Sequence, residues 1–173
     1  MSRKVGQAMK LDQFNTALRS QAIDALRPCV DVLRWCEQIV DSRPFTTRDS
    51  LLASAFSAAL PFTSDEVTGA LSHHPRIGQQ PVCDDREAVL ARSEQAGVDH
   101  SDGTIATGLA LGNRAYEEKF GRVFLIRAAG RTGEQMLASL HERLRNTVST
   151  EDRTVAEQLR EIAILRLEGV VTE

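Results

Sequence analysis

Val123-Phe124-Leu125-Ile126 is the one strand-like run in a chain of 173 residues. Four residues are too few to build a sheet, and no other stretch pairs with them convincingly. An apolar extended run among helices must still satisfy its N–H and C=O groups, and a ligand is one possible partner. On both sides the pattern is helical. Upstream, Ser101 to Phe120 carries Ile105, Leu109, Leu111 and Tyr116, and Gly121 closes it. Downstream, Thr132 and Gln135 have the spacing of a capping box. The helix they open shows Met136, Leu137, Leu140 and Leu144 in one stripe to about Asn146.

The last helix is expected from Thr150 to about Gly169, with Val155, Leu159, Ile162 and Ala163 inward. Arg166 shares that face, seven residues past Leu159 and four past Ile162. A guanidinium on an apolar face is costly unless paired. A snorkelling or ion-paired structural arginine and a ligand-binding one are both open.

Toward the N-terminus, Leu11, Phe14 and Leu18 predict a short helix from Asp12 to Ser20. Pro28 fits the first turn of the next helix, which carries Val30, Leu33, Trp35 and Ile39 to about Val40 and is broken by Arg43-Pro44-Phe45. Thr47 to Leu60 follows, with Leu51, Leu52, Ala55 and Ala59 inward, stopped by Pro61. Thr63 and Glu66 open a fourth helix that runs to His73. Gln79 to Cys83 reads as loop and Asp84 to Ala96 as a fifth helix ended by Gly97. The expectation is all-α: about eight helices in a single compact domain over residues 11–170, after a flexible N-terminus of residues 1–10.

Composition narrows the function. Apolar residues make up 42% and charged residues 26% of the chain, as in ordinary globular proteins. A net charge of −3 makes no case for nucleic acid. No run of eighteen apolar residues suggests a membrane span, and Met1 to Gln7 lacks the apolar core of a secretory signal. Cys29, Cys36 and Cys83 are an odd set, expected as reduced thiols, the first two as small core residues. His73, His74, His100 and His141 form no zinc-binding spacing, and no glycine-rich phosphate loop occurs. Neither a metal nor a cofactor is expected.

The stretch Ser72-His73-His74-Pro75-Arg76-Ile77-Gly78 stands out. Pro75 pushes His74 toward extended backbone and offers no N–H of its own. An imidazole is thereby held at a stiff helix end. The plain alternative is a helix stop with two surface histidines. Twenty residues on lies Glu94, so His74, Glu94 and Arg166 offer an acid/base group, a carboxylate and a fixed cation. That set suits proton transfer on a small anion.

Three ordered motifs sharpen this. They are His74-Pro75-Arg76-Ile77-Gly78, Ser93-Glu94-Gln95-Ala96-Gly97, and Tyr116-Glu117-Glu118-Lys119-Phe120-Gly121 followed by Phe124-Leu125-Ile126. With Arg43-Pro44-Phe45, Gly130-Arg131-Thr132 and the Glu157 to Leu167 pattern, they closely resemble the 2-oxo-4-hydroxy-4-carboxy-5-ureidoimidazoline (OHCU) decarboxylases of urate breakdown. The similarity runs from about Leu11 to Leu167. It implies an all-helical, cofactor-free homodimer whose substrate loses CO₂ and is protonated to (S)-allantoin. It implies His74 as catalytic acid/base with Glu94 beside it. Pro75, Gln95, the backbone of Phe124, Leu125, Ile126, Arg127 and Ala128, and Arg166 would bind substrate. Ala91 stands where many members carry a serine among the substrate-binding positions, so either that polar contact is missing here or Ser93 replaces it from another angle.

Two rival readings rest on the residues alone. A metal-dependent hydrolase would use His73, His74 and Glu94, but adjacent histidines rarely face one metal. A helical interaction module without catalysis is compatible with the composition, though not with the ordered motifs. The chain ends Val171-Thr172-Glu173, which is not the Ser-Lys-Leu type of peroxisomal address; a cytoplasmic location is expected, with no nucleic-acid or membrane partner.

Overall fold

Residues 8–72, 74, 76–78, 89–90, 93–94 and 103–173 are described by the structure, a computed structural model. Among them are eight helices: α1 (Leu11–Thr16), α2 (Arg19–Leu26), α3 (Leu33–Asp41), α4 (Arg48–Ala58), α5 (Ser64–Leu71), α6 (Gly103–Phe120), α7 (Gly133–Arg143) and α8 (Val148–Val170). Two two-residue strands, β1 (Met9–Lys10) and β2 (Val171–Thr172), pair in parallel. The fold is all-α, as expected. Met9 and Lys10, assigned to a flexible N-terminus, are instead tied to the C-terminal strand. By contact, the chain separates into two compact units, Met1–Ala70 with Arg160–Glu173, and Leu71–Leu159.

In the first unit, the expected helix from Asp12 to Ser20 is two helices. Ala17 and Leu18 are extended, with ψ near 150°. The break has a partner: Arg43 Nη1 donates to the carbonyls of Phe14 (2.6 Å) and Ala17 (3.0 Å). Asn15 also holds Phe45 through both amide atoms, at 2.9 Å each. These bonds satisfy groups that a continuing helix would otherwise bond internally. Leu18, one of the three apolar residues whose spacing predicts the helix from Asp12 to Ser20, is 68% exposed. Pro28 does not open the next helix; it belongs to the turn after α2, and α3 starts at Leu33.

Trp35 is fully buried and its indole N–H donates to Ala55 O at 2.8 Å, the polar handle a buried Trp requires. Thr47 caps α4 and Thr63 caps α5 through reciprocal bonds with Ser50 and Glu66. Cys29 and Cys36 are buried thiols outside any disulfide, and burial pushes the Cys36 thiol up to about 12. They behave as small apolar residues, as expected; Cys29, however, precedes α3.

The second unit is built on the pair α6 and α7. A Cβ added at Gly112 would lie 2.5 Å from Leu140 Cδ2, and one at Gly108 2.8 Å from Leu137 Cδ2. The glycines, four apart on one face, let the helices approach closely. Ile77, Leu109, Tyr116, Phe124, Ile126, Ala128, Met136 and Leu140 form the core there. Leu111, expected among the apolar positions of this helix, is 59% exposed. The strand-like run is neither helix nor strand, and Phe124, Leu125 and Ile126 are buried.

Candidate functional site

His74 lies three residues past Leu71, the last residue of α5. Its amide N–H donates to Leu71 O at 3.1 Å, and its side chain is half-buried. The turn behind it is held from α6. Asn113, 4% exposed, donates from Nδ2 to Ile77 O at 3.0 Å. Arg76 grips Glu117 in a two-pronged pair, Nε–Oε1 at 2.5 Å and Nη2–Oε2 at 2.8 Å. Gly78 takes φ +84°, open to glycine at little cost. Arg76, Ile77, Gly78, Leu109, Asn113 and Glu117 line a cavity of about 270 Å³.

Of the other expected site residues, Glu94 is helical and half-buried in this same unit, beside an exposed Ser93 whose hydroxyl donates to Leu90 O at 2.8 Å. Pro75, Ala91 and Gln95 lie outside the described residues, as does His73. Phe124 to Ala128 also belongs to this unit. Arg166 belongs to the first. It is 3% exposed, and Nη1 donates to Pro28 O at 3.3 Å with a longer contact to Cys29 O at 3.5 Å. Among the described residues, no group of three His, Cys, Asp or Glu is placed to hold a metal ion.

The backbone of the strand-like run is only partly open to a ligand, which narrows the expectation for it. Leu125 O accepts from Arg143 Nη1 at 2.5 Å. Arg127 N–H donates to Gln158 Oε1 at 2.9 Å, and Arg127 O accepts from Arg131 Nε at 3.1 Å. Ala128 O accepts from Arg131 N–H at 3.0 Å.

Arg143 and Glu151 were not singled out in the sequence. Glu151 is fully buried. Its Oε1 accepts from Arg143 Nε (2.8 Å) and Nη2 (2.5 Å) and from the Tyr116 hydroxyl; its Oε2 accepts from Asn146 Nδ2 at 2.7 Å. Burial, and then the bond to Glu151, holds the Tyr116 phenol well above its usual range. Phe124 packs edge-on against Tyr116, with centroids 5.2 Å apart, and lies under the Arg143 guanidinium at 4.7 Å. The signal was available in part: Tyr116, Glu117, Lys119 and Phe120 all lie in one quoted motif. Tyr116 bonds Glu151, Glu117 bonds Arg76, and Lys119 caps the end of α7 at Leu144 O and Asn146 O.

The Arg76–Glu117 pair has a pH signature. The hydrogen-bonded guanidinium holds the Glu117 carboxyl below its ordinary value. A lowered folded pKa adds stability above the unfolded value, about 4.3, and loses it as pH falls through the folded one. The pair is partly exposed, so its worth is about 0–1 kcal/mol. Arg76→Met should therefore melt slightly below wild type at pH 7, and the gap should close on acidification below about pH 4. Melting curves from pH 7 to 3 check this; a constant gap contradicts it.

The sequence pattern of the OHCU decarboxylases matches residues 15–168. The chain is 27% identical over 161 residues to the 2-oxo-4-hydroxy-4-carboxy-5-ureidoimidazoline decarboxylase of Haloferax volcanii, covering 92% of this chain and 94% of that protein. It is 26% identical over 168 residues to the uric acid degradation bifunctional protein of a Bacillus species; the match takes in 95% of this chain but spans only 33% of that longer protein. A crystal structure of an OHCU decarboxylase in the presence of (S)-allantoin superposes with a TM-score of 0.67 at 27% identity, over 83% of this chain and 94% of that one. The helices, the tethered His74 turn and this match from residue 15 to residue 168 agree: the chain belongs to the OHCU decarboxylase family.

Proposed function

We propose that this chain decarboxylates OHCU to (S)-allantoin and CO₂ in urate breakdown, without metal or organic cofactor. One observation carries the reading. The family match runs over residues 15–168 and so takes in His74, Glu94, the run from Phe124 to Ala128, and Arg166 together. In the reaction the bond from the ring carbon to the carboxylate breaks, and CO₂ leaves. The electron pair enters the conjugated carbonyl and imine-type groups of the ring. The carbon that lost CO₂ becomes the ring carbonyl as its hydroxyl gives up its proton, and a proton adds to the neighbouring ureido-bearing carbon, which becomes the stereocentre. The protein has to bind the anion, hold the carboxylate out of the ring plane and deliver that proton.

In this reading His74 is the acid/base, and Glu94 orients the imidazole or handles the substrate hydroxyl. Arg166 meets a carboxylate or carbonyl through its planar fork. Pro75, Ala91 and Gln95 complete the substrate contacts. Among the described residues, the amides of Phe124, Ile126 and Ala128 have no hydrogen-bond partner, which supports a role as donors to the ring and ureido carbonyls. The reading extends to a cytoplasmic homodimer.

The test is the decay of freshly made OHCU, followed together with the handedness of the allantoin formed. Uncatalysed decay yields both hands, since a planar intermediate accepts a proton on either face. One fixed acid should give (S)-allantoin at about 100:1, a difference of about 2.7 kcal/mol. Circular dichroism reads it, and dialysis against a chelator should leave the rate unchanged. A decay rate equal to the spontaneous one rejects the activity. A racemic product from a fast reaction means that His74 aids CO₂ loss without supplying the proton.

A further inference from the structure

Ala128 O is bonded locally by Arg131 N–H, and the other bonded groups along the strand-like run belong to Leu125 and Arg127, two residues apart. Each is held by a side chain rather than by a neighbouring strand: Leu125 O by Arg143, Arg127 N–H by Gln158. Within residues 124–128 the amides without partners belong to Phe124, Leu125, Ile126 and Ala128. The run is thus pinned at Leu125 O and Arg127 N–H, with open amides around those two points.

The pin is heavily built. Arg143 is 7% exposed, and its guanidinium is committed on its edges and its face. Nη1 holds Leu125 O, Nε and Nη2 hold Glu151, and the ring of Phe124 lies against its plane. Glu151 is fixed in turn by Tyr116 and Asn146. A guanidinium locked in this way has one orientation, and so Leu125 O has one position.

We infer that Arg143, locked by Glu151, and Gln158 are positioning residues that set the backbone of residues 124–128 to receive the substrate. This rests on the proposed activity. Neither side chain needs to touch the substrate. Their effect is to hold the open amides in a binding geometry, so their loss acts on binding and orientation more than on the proton transfer at His74.

Replacing Arg143 alone would leave a buried carboxylate unpaired, so the test removes both charges, Arg143→Met with Glu151→Leu. Gln158→Ala tests the second pin without disturbing any charge. Steady-state decarboxylation and titration with (S)-allantoin are measured on both variants and on wild type. The expected result is KM and the allantoin Kd raised about ten-fold, with kcat falling by less. A merely structural role would instead lower the active fraction, reducing apparent kcat at constant KM. Wild-type KM in both variants, or in Gln158→Ala when the double variant fails to fold, overturns the inference. A wild-type protein that leaves OHCU decay at its spontaneous rate rejects the proposed activity instead.

Discussion

His74→Ala lowers the acceleration of OHCU decay by about 10²–10⁴-fold, the usual worth of a positioned acid/base group, while His73→Ala keeps the wild-type rate. The contrast comes from the chain around the two residues. His74 precedes Pro75, which restricts it to extended backbone. Its own amide is tied to Leu71 O at the end of α5. The turn after it is fastened at two further points, Ile77 O by Asn113 and Arg76 by Glu117. An imidazole so placed has few conformations to lose when it meets a transition state. His73 has no proline after it. Stopped-flow decay of OHCU with each variant, with circular dichroism to confirm folding, measures the difference. Equal losses in the two variants, or a fast His74→Ala, would remove His74 from the chemistry.

Much of the scaffold was legible because it is written in local rules. The boxes at Thr63–Glu66 and Thr132–Gln135 are three-residue patterns, and both form. The apolar stripe of α8 is periodic over many turns, and Val155, Leu159, Ile162 and Ala163 are all buried. The failures occur where a long-range partner overrules local pattern. Nothing near Ala17 announces that Arg43 will take its carbonyl and split the first helix. Helix α2 went unseen because its buried positions include Ala22 and Ala25, too small to mark an apolar face. The box at Thr47 was missed because Ser50, not Glu or Gln, answers it.

The proposed site shows the same division. Residue type and motif point to His74 and Glu94 as candidates, and the face of α8 points to Arg166. That Arg166 reaches the Pro28 carbonyl could not, since 138 residues separate them. The paired capture of Leu125 O and Arg127 N–H could not either, because a run of apolar residues says nothing about who meets its backbone. Glu151 was the hardest to read. An acidic residue in the first turn of a helix usually faces water and favours the macrodipole, worth about 0.3–1 kcal/mol. Here it is the buried centre of four hydrogen bonds.

That difference can be measured. Glu151→Leu should destabilise the protein by about 3–5 kcal/mol, the cost of leaving a buried partner charge uncompensated. Arg143 would keep its charge at 7% exposure, and the Tyr116 hydroxyl and Asn146 amide would lose their acceptor. For a chain of this size the melting temperature would fall by about 2–4 °C per kcal/mol. Adding Arg143→Met should restore most of the loss, because no buried charge is then left alone and apolar side chains can fill the space. The double variant is therefore expected to be more stable than Glu151→Leu, a coupling that a cycle of wild type, two singles and the double isolates by urea unfolding. If Glu151→Leu costs less than about 1 kcal/mol, the residue acts only on the helix dipole and the network is not a structural centre. If the double variant is as unstable as the sum of the singles, Arg143 and Glu151 contribute independently. In that case the lock on the guanidinium that fixes Leu125 O does not exist.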